Sequence, residues 1–185
     1  MTNYYRDMFQ VPFLHLDVEN WEDKKDIILS SFNINIHEND EDDEVSTDYF
    51  YKVETKNNVD IDNKFISTVL ESEINNFSNY FNFSSCEILL TWFQKSIAGQ
   101  QHIIHNHGSL GYSAVCYVEY DPKFHKPTTF VSPFNNFIDG TALIYEPEQI
   151  REGSIVFFPS SIHHYAPPNN TNIRRTILAL NLKVK

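Results

Sequence analysis

Gly153-Ser154-Ile155-Val156-Phe157-Phe158-Pro159-Ser160-Ser161-Ile162-His163-His164 is the stretch on which the fold turns. Ser154 to Phe158 is β-branched and aromatic, opens on a glycine and closes on Pro159, which predicts a short buried strand. The same punctuation recurs outward from it. Ser113 to Tyr120 is ended by Asp121-Pro122, Thr128 to Val131 by Ser132-Pro133, and Ala142 to Tyr145 by Glu146-Pro147. Cys86 to Phe93 predicts the first buried strand, and Ile173 to Val184 a long last one. Short strands closed by prolines suit a compact barrel with protected edges better than an open sheet.

The N-terminal half reads differently. Asn20-Trp21-Glu22-Asp23 resembles a helix start with acids in its first turn, followed by Ile27, Ile28, Leu29 and Phe32. From Asn63 to Phe81, Ile66, Leu70, Ile74, Phe77 and Phe81 recur every three or four residues, which predicts one amphipathic helix lying on the outside of a sheet. Glu38 to Glu44 holds six carboxylates in seven residues and reads as a solvated loop, since adjacent acids repel and lack the glycine-punctuated spacing of a calcium loop. The expected organisation is a single domain over residues 1–185, with a helical and mixed part at 1–84 and a β core at 85–185.

Composition limits the partners. A formal net charge of −11 argues against nucleic acid and against anionic membranes, because both need a basic surface. No apolar run approaches the ~20 residues of a membrane span. Two cysteines, Cys86 and Cys116, imply no disulfide framework, so a soluble protein of a reducing, cytoplasmic compartment is expected. An aromatic fraction of 15% favours a β-rich core or an aromatic-lined pocket. The oligomeric state is not encoded in any motif.

The histidines carry the chemistry. His105-Asn106-His107 places two imidazoles two residues apart, and in a strand positions i and i+2 share a face. His164 supplies a third ring from a distant strand, and three nitrogens with open positions describe a mononuclear metal site. His163 would point to the opposite face. Eleven residues after His164 stands Arg175, whose guanidinium could anchor a carboxylate. Arg174 competes with it, and a surface salt bridge is the alternative fate of either.

Gly99-x5-His105-x-His107 and Gly153-x5-Pro159-x-Ser161-x2-His164, with Asn169 after, resemble the two boxes of cupin-type double-stranded β-helices. The first box lacks the glutamate that usually follows, and Ser161 stands where the second has glycine. Residues 86–182 also resemble the Fe(II)/2-oxoglutarate oxygenase superfamily. The resemblance rests on His105-Asn106-His107-Gly108, Ser113-Ala114-Val115-Cys116-Tyr117-Val118, Phe158-Pro159-Ser160, His164, Pro168-Asn169, Arg175 and Asn181. It implies a jelly roll of mainly β structure with flanking helices, and a dioxygenase that hydroxylates a small molecule or peptide while 2-oxoglutarate becomes succinate and CO2. It further implies Fe(II) at His105, His107 and His164, with ascorbate as an accessory reductant. The cosubstrate would meet Arg175, or Arg174 in its place, together with Tyr117 and Asn181.

One departure stands out. The superfamily's usual triad is His-x-Asp/Glu…His, and this chain has His107 at the carboxylate position. Three neutral ligands are also the set of cupin-type thiol dioxygenases, which use no 2-oxoglutarate, and of catalytic zinc sites. A non-catalytic jelly-roll binding module is the remaining alternative, and the alternative place for His107 is behind the ligands. Tyr112, Tyr117 and Tyr145 are candidate hydroxyl donors near the cosubstrate, or core residues.

Overall fold

In the computed structural model, which describes residues 10–31 and 43–185, strands form two sheets in which every neighbouring pair is antiparallel. The larger sheet runs β1 (Leu14–Asp17), β8 (Ser154–Pro159), β5 (Tyr112–Glu119), β10 (Arg175–Val184), β3 (Cys86–Ser96) and β2 (Ser46–Thr47). The smaller runs β4 (His102–His105), β9 (His164–Ala166), β6 (Thr129–Asn135) and β7 (Ala142–Tyr145). Among the described residues four helices precede most of this: α1 (Trp21–Ser30), α2 (Tyr49–Thr55), α3 (Val59–Val69) and α4 (Glu71–Tyr80). The architecture is mainly β, a jelly roll with helices outside it.

Period-two alternation divides the larger sheet between two cores. Ala114, Cys116, Val118, Ile155, Phe157, Leu178, Leu180 and Leu182 face the helices, where they meet Ile28, Ile66, Leu70, Ile74 and Phe77. The residues between them, Val115, Tyr117, Val156, Phe158 and Ile177, face the smaller sheet and meet Phe130. Both faces are covered, so these strands read as continuous apolar runs. Each wholly buried Leu, Ile or Phe contributes roughly 1.5–3 kcal/mol. Phe77 stacks on Phe157 at 4.5 Å between ring centroids and 9° between planes, fixing α4 on the sheet.

The helix expected over 63–81 is two helices. The chain breaks at Leu70 (φ −102°, ψ 24°), yet Leu70 N bonds Ile66 O at 2.9 Å and Ile74 N bonds Leu70 O at 3.0 Å. The apolar stripe therefore stays continuous while its direction changes over the twisted sheet. The strand expected to stop before Ser132-Pro133 instead continues to Asn135. Its pairing with β7 shifts register between Val131 and Asn135, an irregularity that accommodates a residue with no N–H. The acidic run 38–44 lies mostly outside the described residues; Glu44 forms a parallel bridge with Gln101.

Two local features hold the site in place. Lys52 Nζ is buried and joins α2 to β3, bonding Thr91 O at 3.0 Å and pairing with Asp48 and Asp62 at 3.1 and 2.9 Å. Gly111 has φ +115°, and a Cβ there would lie 2.6 Å from Leu182 O, so only glycine fits where the 106–111 segment enters β5. Gly111→Ala is expected to destabilise the protein by about 1–3 kcal/mol, read as a lower urea midpoint at unchanged slope.

Candidate metal centre

His105 and His164 are register partners across β4 and β9, and their rings lie 4.3 Å apart. His107 joins them, so that one ring nitrogen from each of the three lies within 4.8 Å of the others. Strand alternation does not account for this. β4 ends at His105, and His107 lies beyond it, tied down by its backbone N–H donating to Ser160 O at 2.8 Å. The expectation of a strand-borne HxH pair is thus corrected: a strand end and a hydrogen-bonded turn bring the rings together.

The outward nitrogens are committed. Nδ1–H of His105 donates to Ile103 O at 2.8 Å, and that of His164 to Ile162 O at 2.9 Å. His107 Nδ1–H is shared between Asn181 Oδ1 at 2.6 Å and the Ser113 hydroxyl at 3.1 Å. With each Nδ1 carrying the proton, each Nε2 presents a lone pair, the tautomer a metal requires. Burial, aided by the neighbouring rings, holds His164 down at about 3, and burial likewise lowers His105 and His107. The rings are neutral at physiological pH without having to expel a proton.

His102 is a fourth ring here, 4.3 Å from His105. Burial lowers its pKa to about 4, and its Nδ1 is buried with no partner. A separation of three would put His102 and His105 on opposite faces of a regular strand. The register shift between them turns both inward, which is why spacing alone gave no signal.

The two arginines have separate fates. Arg174 is half exposed and makes a two-pronged ion pair with Glu119, which Thr176 also contacts. Arg175 is buried at the start of β10. Its Nη2 reaches Thr128 Oγ1 at only 3.4 Å, its Cζ lies 5.6 Å from the centre of the Tyr117 ring, and its Nε and Nη1 have no partner. Burial lowers its pKa from the usual guanidinium value. A wholly buried cation with unmatched donors costs several kcal/mol unless an anion meets it.

Tyr117 is buried, and its hydroxyl accepts from Thr128 N at 3.0 Å. Asn181 turns its Oδ1 to His107 and to Ser113 Oγ (2.9 Å), so this oxygen orients a ring. Tyr112 packs among Phe77, Phe81 and Phe83 on the helix side, and Tyr145 is half exposed on β7, so neither reaches the histidines. His163 is exposed and accepts from Asn106 Nδ2. Asn169 braces the approach to Arg175, donating to Ser96 O and Ile173 O at 3.1 and 2.8 Å. His102, His105, His107 and His164 line an inner chamber with Thr128, Phe158 and Ile177, and sequence reasoning had missed Thr128.

The donor set fits a divalent ion with open positions, and the guanidinium fits a carboxylate deeper in the barrel. Residues 90–181 match a sequence model of the family described as "Putative 2OG-Fe(II) oxygenase". A search of curated proteins finds no match. Among solved structures, the viral collagen prolyl hydroxylase of Paramecium Bursaria Chlorella virus-1, in a 2OG complex, superposes with a TM-score of 0.58 at 11% identity, covering 92% of this chain and 94% of that one. The non-heme alpha ketoglutarate dependent carbocyclase SnoK from nogalamycin biosynthesis gives 0.57 at 13%, covering 94% and 79%. An oxidoreductase of the 2OG-Fe(II) oxygenase family from Burkholderia pseudomallei gives 0.47 at 14% over 60% of this chain, which spans about half (49%) of its length. By the sequence-model match, residues 90–181 belong to the Fe(II)/2-oxoglutarate oxygenases, oxidoreductases that work with ferrous iron and 2-oxoglutarate.

Proposed function

We propose that this protein hydroxylates a C–H bond of a small-molecule or peptide substrate. The balance is R–H + O2 + 2-oxoglutarate giving R–OH + succinate + CO2. The observation that carries this reading is Arg175, a buried guanidinium whose Nε and Nη1 lack acceptors. A dicarboxylate cosubstrate supplies the missing anion at its far end, while its oxo-acid end reaches the three histidines. A thiol dioxygenase or a zinc hydrolase gives that arginine no task.

In this reading His105, His107 and His164 hold Fe(II) through Nε2, and iron supplies the activation of dioxygen. Ile103 O, Ile162 O and Asn181 Oδ1 hold the ligands from behind by fixing each tautomer. Asn181 therefore acts on His107 rather than on the cosubstrate. Arg175 receives the C5 carboxylate, with Thr128 Oγ1 and the face of Tyr117 beside it. Phe158 and Ile177 keep the chamber dry, which strengthens the ion pair.

Three neutral ligands leave the metal's double positive charge for the 2-oxoglutarate dianion to balance. Ascorbate is the accessory reductant. No helix among the described residues is long and apolar enough to cross a membrane. Both cysteines are unpaired, which suits the reducing cytoplasm. Incubation with Fe(II), ascorbate, O2 and 2-oxoglutarate is expected to release succinate slowly even without a prime substrate. Loss of that release on omitting iron supports the reading; no release under any of these conditions, from protein that also fails to bind 2-oxoglutarate, contradicts it.

A further inference from the structure

A second chamber opens beside the histidines, away from Arg175. It is a cavity of about 450 Å³ reached by His102, His105 and His107 on one side and by Tyr49, Phe50, Trp92 and Gln94 on the other. Its aromatic walls meet steeply. Tyr49 lies edge-to-face against Trp92 (5.2 Å, 67°) and against Phe50 (5.4 Å, 84°), while the Trp92 ring lies 5.3 Å from that of His107. Steep walls do not form the parallel slot that a flat base or ring would fill by stacking. They suit a rounded group, and the faces of Tyr and Trp rings attract a cation.

Charge selects among rounded groups. Apart from its histidines, the described lining holds one acidic or basic side chain, the carboxylate of Glu44 at the mouth. It offers no lysine or arginine to a phosphate or a carboxylate. The chain's net charge of −11 adds a field that draws cations in and keeps anions out. Phe50 is 63% exposed at this mouth, an aromatic face left open, on a helix whose seat on β3 is fixed by Lys52.

We propose that the prime substrate presents an alkylated ammonium group, seated among Tyr49, Phe50 and Trp92 with Glu44 at the rim. This rests on the oxygenase reading above and adds the class of substrate. Because Trp92 touches His107, the C–H that reacts lies a few bonds from the nitrogen. The group could be borne by a free amine or by a lysine side chain of a peptide.

The test uses protein loaded with Fe(II) and 2-oxoglutarate under anaerobic conditions. Loading is itself followed by calorimetry, so a failed cosubstrate site is recognised before the second ligand is added. Choline is then titrated against 3,3-dimethylbutan-1-ol, which has its shape without its charge. Choline is expected to bind about tenfold more tightly, with that preference lost in Glu44→Gln and Phe50→Leu. A short peptide carrying one trimethyllysine separates the two sources: tighter binding than choline assigns the group to a peptide, weaker binding to a free amine. Equal binding of choline and the alcohol, tighter binding of the alcohol, or no binding of choline or the peptide to loaded protein overturns the proposal.

Discussion

Arg175→Ala weakens the binding of 2-oxoglutarate by about 2–4 kcal/mol, or roughly 30- to 900-fold, without unfolding the protein. The magnitude follows from burial: an ion pair formed out of water is costly to leave half made, whereas an exposed one is worth about 0–1 kcal/mol. Arg175 has two nitrogens with no acceptor in the ligand-free fold, so removing it also relieves an unpaired buried charge. The stability of the free protein should hold or rise while cosubstrate affinity falls. Arg174→Ala is the control, because its guanidinium is taken up by Glu119 at the surface. It should leave 2-oxoglutarate binding unchanged. Calorimetry showing equal affinity in wild type and Arg175→Ala removes the anchor from Arg175.

His107 carries the second large effect. In an anaerobic Fe(II) titration, His107→Asp should still bind iron, because a carboxylate oxygen is a normal ligand for ferrous iron beside two histidines. His107→Ala should lose more than about 100-fold in affinity, exceeding the 10–100-fold typical of a residue that only steadies a ligand. The aspartate is shorter than histidine and gives up the bond to Asn181, so some affinity is lost there too. Equal affinity in all three proteins would show that His107 is no ligand.

What the sequence discloses here, it discloses through periodicity. The stretches Ser113–Glu119, Ser154–Phe158 and Cys86–Phe93 are strands, because β-branched and aromatic runs bounded by turn residues have few other ways to bury both faces; Ala142–Tyr145 is a strand too, but an exposed one at the edge of the smaller sheet. The short strands β4 and β9 left no such trace. Four and three residues cannot establish a period, and both strands are held by neighbours rather than by their own composition. The same limit hid α2, whose seven residues follow no apolar stripe and which is held by the buried Lys52.

The site was legible to a different degree. The three histidines stood out by spacing, but the reason they converge, a strand end, a turn onto Ser160 and a register shift at His102, is tertiary and has no local signature. Arg174 and Arg175 cannot be told apart by type. They separate in the fold because Arg175 shares the inner face of β10 with Ile177, while Thr176 and Arg174 meet Glu119. Asn181 lies on the same strand but bonds His107, which a motif position alone could not reveal.

The most direct test of the account is a crystal structure of the protein grown without oxygen, with Fe(II) and 2-oxoglutarate. The prediction is one metal bound by Nε2 of His105, His107 and His164 at roughly 2.1 Å, with the C5 carboxylate of 2-oxoglutarate about 2.7–2.9 Å from the Arg175 guanidinium. A metal held elsewhere, or a cosubstrate whose far carboxylate avoids Arg175, would contradict it.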